Sequence, residues 1–215
     1  ADGDIVAVEN EEVVVGTNWS SFDDYLRIRR YAFFLQLLLV REFFREFFKL
    51  CQPAGIAAAP LVRYLTFADY AAFPALAGIF AEYSNDARGE LHDTNEDLYQ
   101  AFSAKLARGE PIEGVKLNLV YIAKITSSRA AVGDLLSLVE RYVRATTATE
   151  EHQRVLVTYL REVLANRIVI LSPEVEKSTE FESSFDYARW TTGTFQELGD
   201  LMLATPRRFT ARAPP

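Results

Sequence analysis

The sequence predicts a mainly α-helical protein of the α+β class, with a few short β-strands at its N- and C-terminal ends. Apolar residues recur at helical spacing through most of the 215 residues, and polar capping residues precede several of these stretches. Runs of β-branched residues, such as Val13–Val15 and Ile168–Ile170, lie near the two ends of the chain. A chain of this length forms one domain, or one domain with a fragment of another.

The composition argues against several classes of function. The net charge is −7 and the isoelectric point about 5.0, whereas non-specific nucleic-acid binding needs a basic surface. Cys51 is the only cysteine, so this chain alone forms no internal disulfide and no cysteine-based zinc or iron–sulfur site. The same observation makes a reducing, cytoplasmic location the simplest interpretation. The first residues lack the basic and apolar regions of a signal peptide, and we expect an internal cut from a longer chain or a trimmed product.

The N-terminal segment is predicted to pass from strand to helix. Ile5–Val8 and Val13–Gly16 are expected to form short strands that a turn connects, because both are rich in β-branched residues. Ser20 or Ser21 can then cap the helix that follows. Two aspartates in the first turn of that helix suit the positive end of its dipole.

One long helix, Asn18–Cys51, is predicted to organise the rest of the chain. Its central residues, Tyr31–Val40, are apolar except for Gln36, which indicates burial. A membrane span would need about 20 such residues. The helix ends in a doubled Arg-Glu-Phe-Phe, residues 41–48, whose four phenylalanines lie on one face. We expect these rings to pack in the core, and a groove for an aromatic or lipidic ligand is the alternative.

The later elements follow from apolar spacing and capping signals. Helices are predicted over Ile56–Leu65, Phe67–Tyr83, Asp93 to about Arg108, Leu117–Ile125, Ala130–Thr146 and Thr147 to about Asn166. Ser84–Gly89 is expected to be a loop. Strands are predicted over Arg167–Leu171 and Thr179–Thr191, and a ragged end or short strand from Thr205 to Pro215.

The sequence contains no complete catalytic motif. A phosphate-binding glycine loop, a G-x-S-x-G elbow and an H-E-x-x-H helix are all missing. His92 and His152 lie 60 residues apart without metal-ligand spacing, so we interpret both as surface or capping residues. Cys51 comes at a helix C-terminus, and we interpret it as a small buried apolar residue rather than a nucleophile.

Two polar clusters supply the substrate-facing candidates. Thr17, Asn18 and Trp19 follow a predicted buried strand, and ligands of α/β folds bind at that edge of the sheet. Arg27 and Arg30 lie in the first turns of the long helix, and Arg30 can face inward. Both arginines also fit the ordinary role of solvent-facing helix residues.

Four segments follow one another in a distinctive order. They are EEVVVGTNWS leading into SFDDYLRIRRYAFFLQLLL, then GELHDTNEDLYQAFSAKLARGE, NLVYIAKI and FDYARW. This order resembles the C-terminal half of the cobalamin-binding radical S-adenosylmethionine proteins, which include relatives of the anaerobic magnesium-protoporphyrin monomethyl ester cyclase. The resemblance covers roughly residues 5–190. The residues that match the family pattern S-x-x-D-Y-x-x-x-R-x-F-A-F are Ser21, Asp24, Tyr25, Arg29, Tyr31, Ala32 and Phe33.

This resemblance implies a division of the chain into three parts. Residues 1–20 would end an upstream α/β (barrel) domain, residues 21–166 would form a helical domain, and residues 167–215 would form a strand-containing segment packed on the helices. Thr17 and Asn18 would then lie at the barrel mouth. The family's C-x-x-x-C-x-x-C cluster motif and its cobalamin domain would lie upstream, because this chain has one cysteine.

The expected function is that of a C-terminal, substrate-side accessory domain that is not catalytic by itself. By resemblance, the parent enzyme would use a 4Fe-4S cluster, S-adenosylmethionine and cobalamin, and this chain alone would bind no cofactor. Its expected partners are the upstream domains of the same polypeptide and a small-molecule substrate, with no nucleic acid and no membrane span. The alternative is a free-standing helical module that binds a ligand or a partner. A weaker alternative is an acid–base enzyme using Asp23, Asp24 or Glu96, whose carboxylates already have capping roles.

Overall fold

Helices make up most of the computed structural model, which describes residues 12–109, 116–170 and 178–212. A two-stranded antiparallel sheet lies near the C-terminus, so the predicted α+β class is confirmed. The strand predicted for Ile5–Val8 lies outside the described residues. No helix within the described ranges is both long and apolar enough to cross a membrane.

The helices are named α1 to α10 in chain order. They are α1 Phe22–Leu35, α2 Arg45–Cys51, α3 Ala58–Phe67, α4 Pro74–Gly89, α5 Asn95–Ala107, α6 Leu117–Ser127, α7 Arg129–Thr146, α8 Glu150–Thr158, α9 Ala165–Ile170 and α10 Tyr187–Thr192. Two π-helical turns extend this set, Gln36–Val40 after α1 and Tyr159–Leu164 between α8 and α9. A short 3₁₀ helix, Leu198–Leu201, precedes the last strand.

The long helix predicted over Asn18–Cys51 is in fact broken. Helix α1 loosens into the π-helical turn Gln36–Val40, and Glu42 then adopts a left-handed backbone with φ of 58°. The chain bends there, and α2 starts at Arg45. Apolar periodicity continues across the break, so the pattern alone predicts one helix where tertiary packing requires two.

The break lets the two ends of this segment pack in different aromatic clusters. In the first cluster, the ring of Phe33 contacts that of Phe80 on α4 at a centroid distance of 5.5 Å. In the second, the ring of Phe47 on α2 stacks on Tyr159 at 6.4 Å. Phe33, Phe47 and Tyr159 are fully buried. Such ring pairs add about 0.5–1.5 kcal/mol each beyond the burial of their area.

Capping side chains start three helices, at the position predicted for α1 and one or two residues later than predicted for α5 and α8. The Ser21 hydroxyl accepts the backbone N–H of Asp24, whose carboxylate accepts the N–H of Ser21, as a capping box does. The hydroxyls of Thr94 and Thr149 accept the backbone N–H groups of Asp97 and His152, so the capping residue of α8 is Thr149 and not the predicted Thr147. These contacts fix where α1, α5 and α8 begin.

Helix α4 has no side-chain cap from its own segment. Its first turn starts with Pro74, which needs no hydrogen bond there, and the carboxylate of Asp134 on α7 accepts the next two backbone N–H groups. Asp134 Oδ2 lies 2.8 Å from Ala75 N and 3.2 Å from Leu76 N. A side chain 58 residues away in sequence therefore stabilises the start of α4.

Further segment predictions were wrong. The helix predicted over Phe67–Tyr83 starts only at Pro74. Val13–Gly16 is not a strand, because the described residues offer it no partner, and the Val14 side chain is 75 % exposed. Ser84–Gly89 is the last part of α4 rather than a loop. The strand predicted for Arg167–Leu171 is helical through Ile170, because α9 continues directly from the preceding helical turns and buries Ile168.

The sheet pairs β1, Ser178–Phe185, with β2, Met202–Arg212. Phe181 lies opposite Phe209, and the two rings stack at 6.0 Å. The strand predicted to reach Thr191 ends earlier, because Asp186 caps α10. Of the two alternatives for Thr205–Pro215, a ragged end or a short strand, the strand is present through Arg212 as part of β2.

Candidate functional site

The predicted residues Thr17, Asn18 and Trp19 form a tight turn before α1. The backbone N–H of Thr17 donates to the carbonyl of Ser20 at 2.7 Å, and the Thr17 hydroxyl accepts the N–H of Trp19 at 3.1 Å. All three side chains are exposed, and Trp19 is 95 % exposed. A large aromatic side chain that contacts so little of its own chain is available to an external partner.

The two predicted arginines have different surroundings. Arg27 is exposed and pairs with Asp24 one turn earlier, at 2.7 Å. Arg30 is half-buried, and its guanidinium lies 5.4 Å from the ring centre of Phe80 and 5.7 Å from that of Tyr70. The Arg30 Nε atom is buried and has no hydrogen-bond partner among the described residues. The inward orientation considered for Arg30 is therefore present, and its contacts are aromatic rings.

The intervening arginine, Arg29, joins α1 to the end of α4. One of its guanidinium nitrogens donates to a carboxylate oxygen of Glu90 at 2.7 Å. Beneath it, the hydroxyl of Tyr83 donates to the side-chain carbonyl of Asn118 at 2.8 Å, and the Asn118 amide donates to Gln36 at 3.1 Å. Burial raises the pKa of Tyr83, which keeps this hydroxyl a proton donor. The network fastens α1, α4 and α6 together at the π-helical turn.

A second tyrosine beside this network is held protonated. Tyr121 donates to a carboxylate oxygen of Asp86 at 2.5 Å, and its ring meets that of Tyr83 edge-on at 5.3 Å. Burial, followed by the hydrogen bond to Asp86, raises the pKa of Tyr121 to about 12. A phenol with this pKa is a structural donor at neutral pH and not a general base.

The N-terminal pole of the molecule contains an open crevice of about 780 Å³. Glu12, Val13 and Val15 line one side, and residues 90–95 with Leu98 line the other. Helix α5 rises from this crevice, and none of its side chains, all of which the structure describes, is buried. Leu98, Phe102 and Leu106 are spaced four residues apart along α5 and form an apolar stripe that the described chain leaves partly or fully exposed.

A groove between α3 and α7 is a second concave feature with aromatic and charged lining. It has a volume of about 640 Å³, and its lining is Pro60, Arg63, Tyr64, Phe67, Ala68, Asp69 and Arg141. That volume falls within the range of about 300–1,000 Å³ that small-molecule sites occupy. The Tyr64 ring packs on Tyr142 at 5.1 Å, and Phe67 is 62 % exposed at the rim.

The charges in this groove are not balanced. Neither Arg63 nor Arg141 has an ion pair with any described residue, and the Arg141 guanidinium lies 4.9 Å from the ring centre of Phe73. Asp69 is the one carboxylate of the lining, and it accepts the backbone N–H of Ala71 at 2.9 Å. Two guanidinium groups against one carboxylate leave a formal surplus of one positive charge.

Sequence reasoning missed this groove, although a signal was present. Arg63 is the one charged residue of α3, and no acidic residue lies three or four positions from it on either side. Arg141 likewise has no acidic residue at those helical spacings. An arginine that its own helix does not compensate must find a partner elsewhere or remain free, but only the fold shows that both arginines reach one groove.

Two other arginines, Arg144 on α7 and Arg161 in the second π-helical turn, share a single carboxylate. Glu140 is only 9 % exposed. Its carboxylate accepts hydrogen bonds from Arg144 at 2.8 Å and from Arg161 at 2.6 and 2.8 Å. Burial acts to raise the pKa of Glu140, but these hydrogen bonds outweigh it and leave the pKa below its ordinary value. This cluster fastens α7 to the second π-helical turn.

The described residues assemble no hydrolytic or metal-binding constellation. No three His, Cys, Asp or Glu side chains among them lie close enough to hold a metal ion. Cys51 is buried, and burial raises the pKa of its thiol to about 12, so it is not a nucleophile at neutral pH. The Phe44 and Phe47 rings of the predicted stripe are fully buried, so they pack in the core and line no groove.

Comparison with known proteins adds no assignment. No family model, no curated protein and no solved structure matches the chain.

Proposed function

We propose that this chain is the helical, substrate-side accessory domain of a larger cobalamin-type radical S-adenosylmethionine enzyme and is not catalytic by itself. The family assignment rests on the resemblance of the strand-to-helix passage and of the segments that follow it. The accessory role is supported mainly by the N-terminal pole of the molecule, where apolar side chains are exposed. There, Val14 and Trp19 are 75 % and 95 % exposed, and α5 presents an apolar stripe without a buried residue.

The composition of this pole supports a docking role. The segment Glu12–Gly16 has the β-branched composition of a strand, yet it pairs with no described strand. Such a segment has unsatisfied backbone groups and exposed valines, both of which an adjacent sheet would cover. Thr17, Asn18, Trp19, Arg27 and Arg30 would then lie at or near the junction with the upstream domain, where a substrate would bind.

The first test concerns the reading frame that encodes this chain. Under the proposal, the sequence upstream of Ala1 contains a C-x-x-x-C-x-x-C motif and a cobalamin-binding domain. An upstream reading frame without that cysteine motif would refute the family assignment.

The second test measures docking directly. Hydrogen exchange at residues 12–20 is compared between the 215-residue chain and the full polypeptide. We expect fast exchange in the chain alone and clear protection in the full polypeptide, because an upstream sheet would pair with this segment. Residues 193–197, an exposed turn far along the chain, serve as the control and should exchange equally in both. Equal exchange at residues 12–20 would rule out docking through this pole.

A second candidate function is a free-standing helical module that binds a small ligand. The groove between α3 and α7 favours it, because that groove has the size and the polar groups of a ligand site. The candidate requires that the 215-residue chain fold without upstream sequence. We expect one cooperative thermal transition by circular dichroism and a monomer or dimer in sedimentation, and an aggregated or non-cooperative chain would refute it.

A further inference from the structure

We infer that the groove between α3 and α7 binds an organic anion that carries an apolar ring, with Arg63 and Arg141 contacting the anionic group. This inference rests on the ligand-binding function given as the second candidate above and specifies its ligand class. The anionic group is a carboxylate or a phosphate monoester, since guanidinium groups bind both in the same paired geometry.

Charge favours an anion in this groove. The protein carries a net charge of −7, but the lining of the groove has a surplus of positive charge. Arg144 and Arg161, which adjoin Arg141, already have a partner in Glu140. Arg63 and Arg141 line the same groove from two different helices and have no ion pair with a described residue. An anion in this groove would supply the missing partner to both.

Arg141 is held beside an aromatic ring. Its guanidinium carbon lies over the Phe73 ring, 4.9 Å from the ring centre, as in a cation–π contact. This contact restrains the side chain without a hydrogen bond, so the N–H donors remain available to an anion. Less conformational entropy is lost on binding when a side chain is already oriented.

The groove also has an apolar part. Tyr64 is held by its contact with Tyr142 at 5.1 Å, while Phe67 is 62 % exposed at the rim with Pro60 and Ala68 nearby in the lining. An exposed phenylalanine beside two arginines suits a ligand with an apolar ring and a charged group.

Two groups in the groove oppose an anion. Asp69 contributes a carboxylate, and the carbonyl end of α3, which stops at Phe67, contributes partial negative charge. The Asp69 carboxylate accepts a backbone hydrogen bond from Ala71, which directs one of its oxygens into its own loop. Two full positive charges exceed one carboxylate plus a partial charge, so the balance favours an anion.

The experiment titrates the 215-residue chain with naphthalene-2-carboxylate and with 1-naphthyl phosphate, using 2-naphthamide as the neutral isostere. Binding is followed by amide chemical shifts. We expect saturable binding of an anion with the largest shifts around Tyr64 and Phe67. Naphthamide should bind at least tenfold more weakly, because hydrogen bonds to charged groups contribute about that much.

The variants Arg63→Gln and Arg141→Gln should each weaken anion binding about tenfold or more. Arg129→Gln is the matched control, because Arg129 is an exposed arginine of α7 outside the groove, and it should leave binding unchanged. Circular dichroism verifies that each variant is folded. Arg141→Lys, which keeps the charge but loses the paired donors, should fall between wild type and Arg141→Gln.

Three results would overturn the inference. Absence of saturable anion binding up to millimolar concentration refutes the site. Anion binding that Arg63→Gln and Arg141→Gln leave unchanged places the ligand elsewhere. Equal affinity for naphthamide refutes the requirement for an anion while leaving a ligand-binding module in place, so the failure of this inference is distinguishable from that of the second candidate function.

Discussion

The capping of α4 by a distant side chain makes a quantitative prediction. Asp134 on α7 accepts hydrogen bonds from Ala75 N and Leu76 N at 2.8 and 3.2 Å. Loss of an N-terminal cap costs typically about 1 kcal/mol and up to about 2. The carboxylate also lies at the positive end of the helix dipole, which adds about 0.3–1 kcal/mol. Asp134→Ala should therefore lower the free energy of unfolding by about 2 kcal/mol.

The assay is urea denaturation followed by circular dichroism at pH 7. With an m-value of about 3 kcal/mol/M, a loss of about 2 kcal/mol moves the midpoint down by roughly 0.7 M. Asp134→Asn retains a carbonyl oxygen as acceptor and loses the charge, so it should show a smaller shift than Asp134→Ala. Glu180→Ala is the control, because Glu180 is exposed and its pairing with Arg208 at 3.9 Å contributes little.

A midpoint for Asp134→Ala within error of that for Glu180→Ala would refute the reasoning. It would mean that solvent satisfies the first turn of α4 as well as Asp134 does. A changed m-value would instead indicate that the substitution alters the compactness of the native or unfolded state.

Three further predictions concern single side chains. Glu140→Gln should destabilise the protein by about 2 kcal/mol at pH 7, because it weakens a largely buried carboxylate's bonds to two partly exposed arginines. Because the folded-state pKa of Glu140 is lowered, that stabilisation is present above the unfolded-state pKa and is lost as the pH falls through the folded-state pKa. The denaturation midpoints of wild type and variant should therefore converge as the pH is lowered through that range. Glu42→Gly should raise the thermal midpoint relative to Glu42→Ala, since its φ of 58° costs a non-glycine residue about 1 kcal/mol; a lower midpoint for glycine would contradict this. Phe47→Ala should cost about 3–5 kcal/mol in urea denaturation, and a loss below 1 kcal/mol would mean that the second aromatic cluster closes the space.

The structure changes the reasons for which two candidate residues, Trp19 and Arg30, are of interest. The sequence predicts a substrate-facing role for Trp19 because it follows a predicted strand. That strand is not formed within the described residues. Trp19 remains of interest for a different reason, since a 95 % exposed tryptophan is a natural anchor for a docking partner. The sequence predicts a substrate-facing role for Arg30 because it lies in the first turns of a helix. In the structure its guanidinium contacts the rings of Tyr70 and Phe80.

Local signals in the sequence determined where several helices begin to within one or two residues. Ser21, Thr94 and Thr149 cap α1, α5 and α8 because each hydroxyl reaches a backbone N–H three residues ahead, a contact that needs no distant partner. The α+β class followed from apolar spacing in the same way. Both inferences depend on residues within one or two turns of each other, so the sequence alone contains what they require.

Only the tertiary structure decided the features that depend on distant residues. Glu42 breaks the predicted long helix because Phe33 and Phe47 pack in separate clusters, and neither cluster can be read from local spacing. Residues 167–170 are rich in β-branched side chains, yet they are helical because the helix before them continues and buries Ile168 against the core. Arg63 and Arg141 lie 78 positions apart, and packing of α3 against α7 brings them to one groove. Propensity differences of a few tenths of a kcal/mol per residue are smaller than the free energy of burying such side chains, so the packing prevails.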